Sequence, residues 1–311
     1  MFNNELENMG LAVPRARLIQ IISGFWVDYI FYSLLFRLFR PKLLITNDLM
    51  SSGAMAAARS LQIQSLELQH GLMDEYYPLY QMHPKFLAIK DRLPIADKVG
   101  VFGQFHKDQL LLKGFWQSNE VINVGKFELP KENNSIARFS DKPTLLFATQ
   151  GSLFFNQSLV FINSLLKNSF TDFQLVIKLH PLEPGTCKKE YQKIESENSR
   201  VKLIQSEFNL DELFSVSDFV LSYNSTVLIE AVAKGIISFT ICDDLLKNGI
   251  YDLIGGSPTL EKFLIKVNGV EEVVNFIQRK DKIDQSQEFQ AVSNYLYEAS
   301  YAEKLIRIIN P

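Results

Sequence analysis

Two α/β units, each a parallel sheet wound with helices, are what this 311-residue sequence predicts. Short, β-branched apolar runs alternate with helical segments along most of the chain, the pattern of βαβ crossovers. One polar stretch, residues 128–143 (ELPKENNSIARFSDKP), interrupts that alternation, holds two prolines and lacks apolar periodicity, so it reads as a linker. The length is large for one domain and comfortable for two. The expected division is therefore residues 1–130 and 143–311, the last helix being free to pack back on the first unit.

In the first unit, KLLITND (42–48) reads as a strand, GAMAAARSL (53–61) as an alanine-rich helix and IQSLELQHG (63–71) as a strand ending at a turn. Further strands are expected at Phe86–Ile89, Lys98–Phe102 and Val121–Val124, with the helix FHKDQLLLKGF between the last two and Gly114 near its C-terminus. The second unit restarts with TLLFATQ (144–150), a helix over 157–168, QLVIKL (174–179) and VKLIQ (201–205). An acid-led helix at NLDELFSV, strand FVLSY (219–223), helix STVLIEAVAKG and strand IISFTIC follow, and the tail from 259 reads as helical. Such an order implies right-handed crossovers and a doubly wound sheet.

Composition excludes several classes. A net charge of -3 offers no global field for nucleic acid. Cys187 and Cys242 share no spacing that suggests a disulfide framework or a zinc site, which fits a reducing cytoplasm. No secretory signal pattern opens the sequence. Residues 18–39 (LIQIISGFWVDYIFYSLLFRLF) are mostly apolar but hold Gln20, Asp28 and Arg37, with Arg40 and Lys42 after them. The leading expectation is a helix buried on a sheet; the competing one is an interfacial helix, aromatic face on the membrane and cations on anionic headgroups.

Ligands of open α/β sheets bind outside the carboxyl ends of the strands, and three strand ends of the second unit carry suitable groups. Gln150, Gly151 and Ser152 form a turn in which glycine permits close backbone approach. His180 and Pro181 end an apolar strand, where the histidine can donate to a phosphate oxygen. Ser222, Asn224, Ser225 and Thr226 lie where a buried strand becomes a helix, so hydroxyls and free N–H groups converge at the positive end of a helix dipole. Glu230, within two turns, suits a ribose diol. In the first unit His70, Asp74 and Glu75 follow a strand end and are candidates to take a proton from an acceptor hydroxyl. The competing reading of each group is structural: an N-cap, a plain turn, a solvated loop.

Other site patterns are missing. There is no Gly-x-Gly-x-x-Gly, no Gly-Lys-Ser/Thr phosphate loop and no Gly-x-Ser-x-Gly elbow. Asp243-Asp244 reads as a turn rather than a metal site.

Gln-His-Gly at 69–71, VFGQFHKDQLLLKGF and VINVGKF before the linker, KLHP at 178–181 and LSYNSTVLIEAVAKGI at 221–236 together resemble the GT-B glycosyltransferases of bacterial surface polysaccharide synthesis. The similarity runs from about residue 40 to 240 and extends to the CMP-sugar enzymes that add sialic acid or Kdo and, more distantly, to the glycerophosphotransferases of teichoic acid. It implies a GT-B architecture of two Rossmann-like domains facing a cleft, with His180 and Pro181 binding the donor nucleotide and phosphate, and Ser225 and Thr226 holding the phosphate. The acidic-acidic-Gly motif of the sialyltransferases is replaced by Asp74-Glu75-Tyr76, so the base remains open among His70, Asp74 and Glu75. Glu230-Ala231 with Gly235 is also similar to the ribose signature of UDP- and GDP-sugar enzymes, so the nucleotide remains open too. Only a helix precedes the strand at 43, so the acceptor-side domain is expected to be reduced.

The resemblance implies transfer of a sugar, a nonulosonic acid or Kdo from a CMP-sugar among the candidates, onto a surface-polysaccharide or lipid-linked glycan acceptor. No cofactor or metal is expected, nor a nucleic-acid partner. The location implied is the cytoplasm, at the inner membrane face if residues 18–39 touch lipid. The alternatives are a sugar-nucleotide epimerase of the same fold and a non-catalytic partner subunit of a glycosyltransferase.

Overall fold

The computed structural model describes residues 14–47, 52–71, 80, 82–126, 136–168, 172–206, 208–223, 225–242, 258–279, 286–299 and 301–309. By contact density the chain divides into Met1–Lys126 with Ala299–Pro311, and Phe127–Glu298. The last helix, Tyr301–Ile309, falls in the first of these units.

In the first unit, helix α1 (Arg15–Phe39) leads into β1 (Leu43–Thr46), α2 (Ser52–Ser60), β2 (Gln64–Leu68), β3 (Lys98–Val101), α3 (Gln104–Leu111) and β4 (Val121–Asn123). The four strands form one parallel sheet in the order β1-β2-β3-β4. Gly53 shows why α2 is built from small residues. A Cβ at that position would lie 2.5 Å from the Asp28 Cβ and 2.9 Å from the Tyr29 backbone nitrogen, so α1 and α2 meet nearly backbone to backbone. Phe36 of α1 then packs with Ala57, Ala58 and Ile63.

The first unit corrects two expectations. Residues 86–89 are not a strand but part of a 3₁₀ segment, Pro84–Arg92. The proline sits in the first turn and the His83 side chain accepts from the Lys85 N–H, which starts a tight helix, while Phe86, Leu87 and Ile89 stay exposed instead of entering a sheet. Helix α1 forms as expected but is mostly exposed rather than buried: Trp26, Leu34 and Leu38 expose 53%, 61% and 75% of their surface.

The second unit carries β5 (Thr144–Ala148), a 3₁₀ turn Gly151–Phe154, α4 (Phe155–Lys167), β6 (Gln174–Lys178), α5 (Gly185–Glu197) and β7 (Val201–Ile204). It continues with α6 (Leu210–Val216), β8 (Phe219–Ser222), α7 (Thr226–Ala233), β9 (Ile237–Ile241), α8 (Pro258–Glu261), β10 (Leu264–Val267), α9 (Val270–Arg279) and α10 (Ser286–Leu296); the helix of the first unit at the C-terminus is α11 (Tyr301–Ile309). Its six strands, all parallel, order as β10-β9-β8-β5-β6-β7. Every residue of β5 is buried, as a strand covered on both faces requires. Helices α4, α5 and α9 share one apolar cluster with the strands, and α7 packs on α10, where Phe289 lies 3.7 Å from the Cβ position of Gly235. Asn209 and Glu212 close a reciprocal capping box that starts α6. Strand β10 corrects the expected all-helical tail. Four residues, Leu-Ile-Lys-Val, are too few for sequence periodicity to separate from a helix, and pairing with β9 decides the matter.

In both units parallel strands are wound with helices, and the chain is α/β throughout. Replacing Gly53 with alanine tests the contact between α1 and α2. Alanine would favour the helix by about 1 kcal/mol on propensity alone, but the clash costs typically 1–3 kcal/mol. Gly53→Ala should therefore lower the urea midpoint of the first unit, whereas an unclashing site would show a rise.

Candidate functional site

From β5 the chain moves to β6 and β7 on one side and returns to β8, β9 and β10 on the other. The carboxyl ends of β5 and β8 thus flank a topological switch point, the place where open α/β sheets bind ligands. Gln150–Ser152 follow β5, Ser225 and Thr226 follow β8, and His180 follows β6 one strand away.

Hydrogen bonds tie these ends together. The Thr149 hydroxyl accepts the His180 backbone N–H at 2.8 Å and donates to Glu183 Oε2 at 2.6 Å. Glu183 is 4% exposed, its backbone N–H donates to the His180 carbonyl, and its Oε1 is buried with no hydrogen-bond partner among the described residues. Beside it, burial first and the Glu183 charge second push the Tyr191 phenol well above its ordinary pKa. The His180 ring is oriented in turn: Nδ1 accepts from the Leu182 N–H at 3.1 Å, which leaves the proton on Nε2 as a donor. Gly151 adopts φ +65°, and a Cβ there would lie 4.0 Å from His180 Nδ1. Glycine at 151 thus serves the left-handed turn, since a Cβ there would meet the ring only at ordinary contact distance.

On the other side of β5, the Ser222 hydroxyl donates to the Ala148 carbonyl at 2.7 Å and is fully buried, so it joins the two strands rather than facing the mouth. Ser225 is the N-cap of α7; its hydroxyl oxygen accepts the Val227 N–H at 3.3 Å while its O–H retains donor capacity. Thr226 is exposed in the first turn and Glu230 half-buried further along. Phe154 stacks on Tyr223 with ring centroids 5.0 Å apart and planes within 5°, which fixes the 151–154 turn against the end of β8. Gln150 and Ser152 lie at that turn, half-buried and exposed; Pro181 is exposed after His180, and Asn224 lies outside the described residues.

The sequence reading did not include Thr149 or Glu183. The signal was a glutamate three residues after the histidine in HPLEP, an acid in an otherwise apolar and proline-rich turn. The carboxylate and the threonine are 34 residues apart, and only the pairing of β5 with β6 brings them together.

In the first unit Gln69 is the centre of the Gln-His-Gly turn. Its Oε1 accepts the Phe102 N–H at 2.8 Å, and its Nε2 donates to the Gly71 carbonyl and meets His106 Nδ1 at 3.0 Å. His106 is buried, and that burial lowers its pKa to about 3. His70 is exposed at the end of β2; Asp74 and Glu75 lie outside the described residues.

Residues 154–239 match the family model for capsule polysaccharide biosynthesis proteins. That match runs from the last residue of the 3₁₀ turn into β9 and contains His180, Glu183, Ser225 and Thr226. No curated protein sequence matches the chain. Among solved structures, the UDP-GlcNAc 2-epimerase from Neisseria meningitidis bound to UDP-GlcNAc is similar at 18% identity and TM-score 0.58, over 93% of this chain and 81% of that one. The S. aureus MnaA–UDP co-structure is similar at 17% identity and TM-score 0.58, over 93% and 80%. A glycosyltransferase from Rickettsia africae ESF-5 is similar at 13% identity and TM-score 0.57, over 99% and 86%. These likenesses establish the fold: two parallel-sheet α/β units of GT-B type.

Two measurements test the two hydrogen-bond centres. Thr149→Val keeps the shape but removes both bonds of the hydroxyl; thermal unfolding should show a loss of about 1–3 kcal/mol, the cost of stranding a buried polar group. For His106, the unfolded chain holds a proton between pH 6.5 and about 3 that the folded chain lacks. Stability should be full above pH 6.5 and fall as pH drops through that window, by up to about 1.4 kcal/mol per pH unit. His106→Asn, which preserves an acceptor for Gln69, should flatten that part of the pH profile in urea melts.

Proposed function

We propose that this chain is a GT-B glycosyltransferase of surface-polysaccharide synthesis that takes a nucleotide-sugar donor. The observation that carries the reading is the placing of His180, the Gly151 turn and the N-terminus of α7 at strand ends around the switch point, His180 and α7 lying inside the segment that matches the capsule family model.

The donor phosphate sits at the first turn of α7, at the positive end of the helix dipole, where Ser225 caps the helix and Thr226 is exposed beside it. His180 Nε2 donates to a phosphate oxygen. In the transfer step a base removes the acceptor hydroxyl proton, the oxygen attacks the anomeric carbon, and the bond from that carbon to the phosphate oxygen breaks. Negative charge grows on the departing nucleotide, and the helix terminus with His180 offsets it without a metal ion. His70, Asp74 or Glu75 is the base. The donor is a CMP-sugar of a nonulosonic acid or Kdo, the acceptor a surface-polysaccharide or lipid-linked glycan, and the site of action the cytoplasmic face of the membrane.

A second reading is an epimerase acting on a UDP-sugar, favoured by similarity to the UDP-GlcNAc 2-epimerase bound to UDP-GlcNAc. A third is a partner subunit that binds nucleotide without turnover. Calorimetric titration with CMP, CDP, UDP and GDP separates donor classes. CMP is expected to bind selectively and His180→Ala to weaken it by about 1–3 kcal/mol, the worth of a charge-assisted phosphate contact. A preference for UDP together with product formed in the absence of acceptor would establish the epimerase instead; no nucleotide binding would overturn both enzyme readings.

A further inference from the structure

Helix α1 presents a chemical problem that the nucleotide site does not solve. It is apolar nearly all round, which in water is the mark of a helix with a cover, yet Trp26, Val27, Phe31, Leu34, Leu38 and Phe39 are each more than half exposed. The acid of this segment faces the protein: Asp28 Cβ is the atom against which a Cβ at Gly53 would collide. Residues 14–47 otherwise carry five cations, Arg15, Arg17, Arg37, Arg40 and Lys42. Five cations and one acid give this stretch +4, in a chain whose total is -3.

The cations at the helix end are exposed, and they line one shared concavity. Arg37, Arg40 and Lys42 line a pocket of about 840 Å³ together with Phe36, Gln62 and Gln64. Among the described residues no carboxylate lines it. Arg40 and Gln62, both lining it, are also the two non-glycine residues with left-handed φ among the described residues, at 48° and 56°.

We infer that this pocket and the exposed face of α1 together form a binding site for an anionic phospholipid, the phosphate in the pocket and the acyl region against the helix. Charge selects this occupant. A second copy would bring another +4 against the same surface across a two-fold axis, whereas an anionic leaflet supplies the opposite sign and aromatic-rich apolar faces are at home at the headgroup boundary. The helix lies along the surface instead of crossing it, because its Asp28 side is occupied by α2. The site is independent of the transferase reading and stands or falls separately.

The test is co-sedimentation of the full chain with vesicles of phosphatidylcholine alone and of phosphatidylcholine with about a third phosphatidylglycerol. Binding to the anionic vesicles is expected, with a blue shift of tryptophan emission that reports Trp26, since Trp116 is already buried. The triple variant Arg37→Gln, Arg40→Gln, Lys42→Gln should weaken that binding by about a hundredfold, at roughly fivefold per basic residue. Leu34→Glu with Leu38→Glu should abolish it, while far-ultraviolet circular dichroism and nucleotide titration stay unchanged. Equal binding to neutral vesicles would overturn the headgroup site. Binding of soluble glycerol phosphate without vesicle binding would overturn the lipid, as would dimerisation on gel filtration that Leu34→Glu abolishes.

Discussion

One hydroxyl holds the second unit's site in shape. Thr149 leaves β5 and offers its oxygen to the backbone of His180 while giving its proton to Glu183. The bond pair fixes the separation of two strand ends, and the ring of His180 follows from it, because the turn that places Glu183 also sends the Leu182 N–H to Nδ1. A carboxylate taken out of water is costly unless hydrogen-bonded. Its burial beneath the histidine turn therefore makes the turn's geometry cooperative with the core around Tyr191.

The first unit solves the same problem with an amide. Gln69 collects donors and acceptors from β3, α3 and its own turn, and a neutral His106 completes the arrangement where a charged one would be desolvated. Gly53 adds a steric constraint, letting α2 lie against α1 at backbone distance. Such close packing leaves the rest of α1 outward, so the apolar surface of that helix is the consequence of which side the small residues claimed.

Similarity to both an epimerase and glycosyltransferases has a physical explanation in the sheet. Nucleotide phosphates need free N–H groups and a close backbone, and a parallel sheet offers both at its switch point whatever bond is later made or broken. Chemistry depends on the groups brought to the sugar. The capsule-family match covers residues 154–239, which include the strand ends after β6 and β8.

The α/β class and most elements were legible because long apolar alternation reports burial locally: the runs at 144–148, 174–178 and 219–222 are strands within two residues of where periodicity puts them. His180, Gly151 and Ser225 could be singled out because each stands at the end of such a run. What the sequence could not determine was anything that depends on which strand lies beside which. The 264–267 strand needed β9, the residues at 86–89 needed the absence of a sheet to join, and the exposure of α1 needed the Gly53 contact. Thr149 and Glu183 became one device only when β5 and β6 paired, since hydrogen bonds across 34 residues leave no periodic trace in the chain.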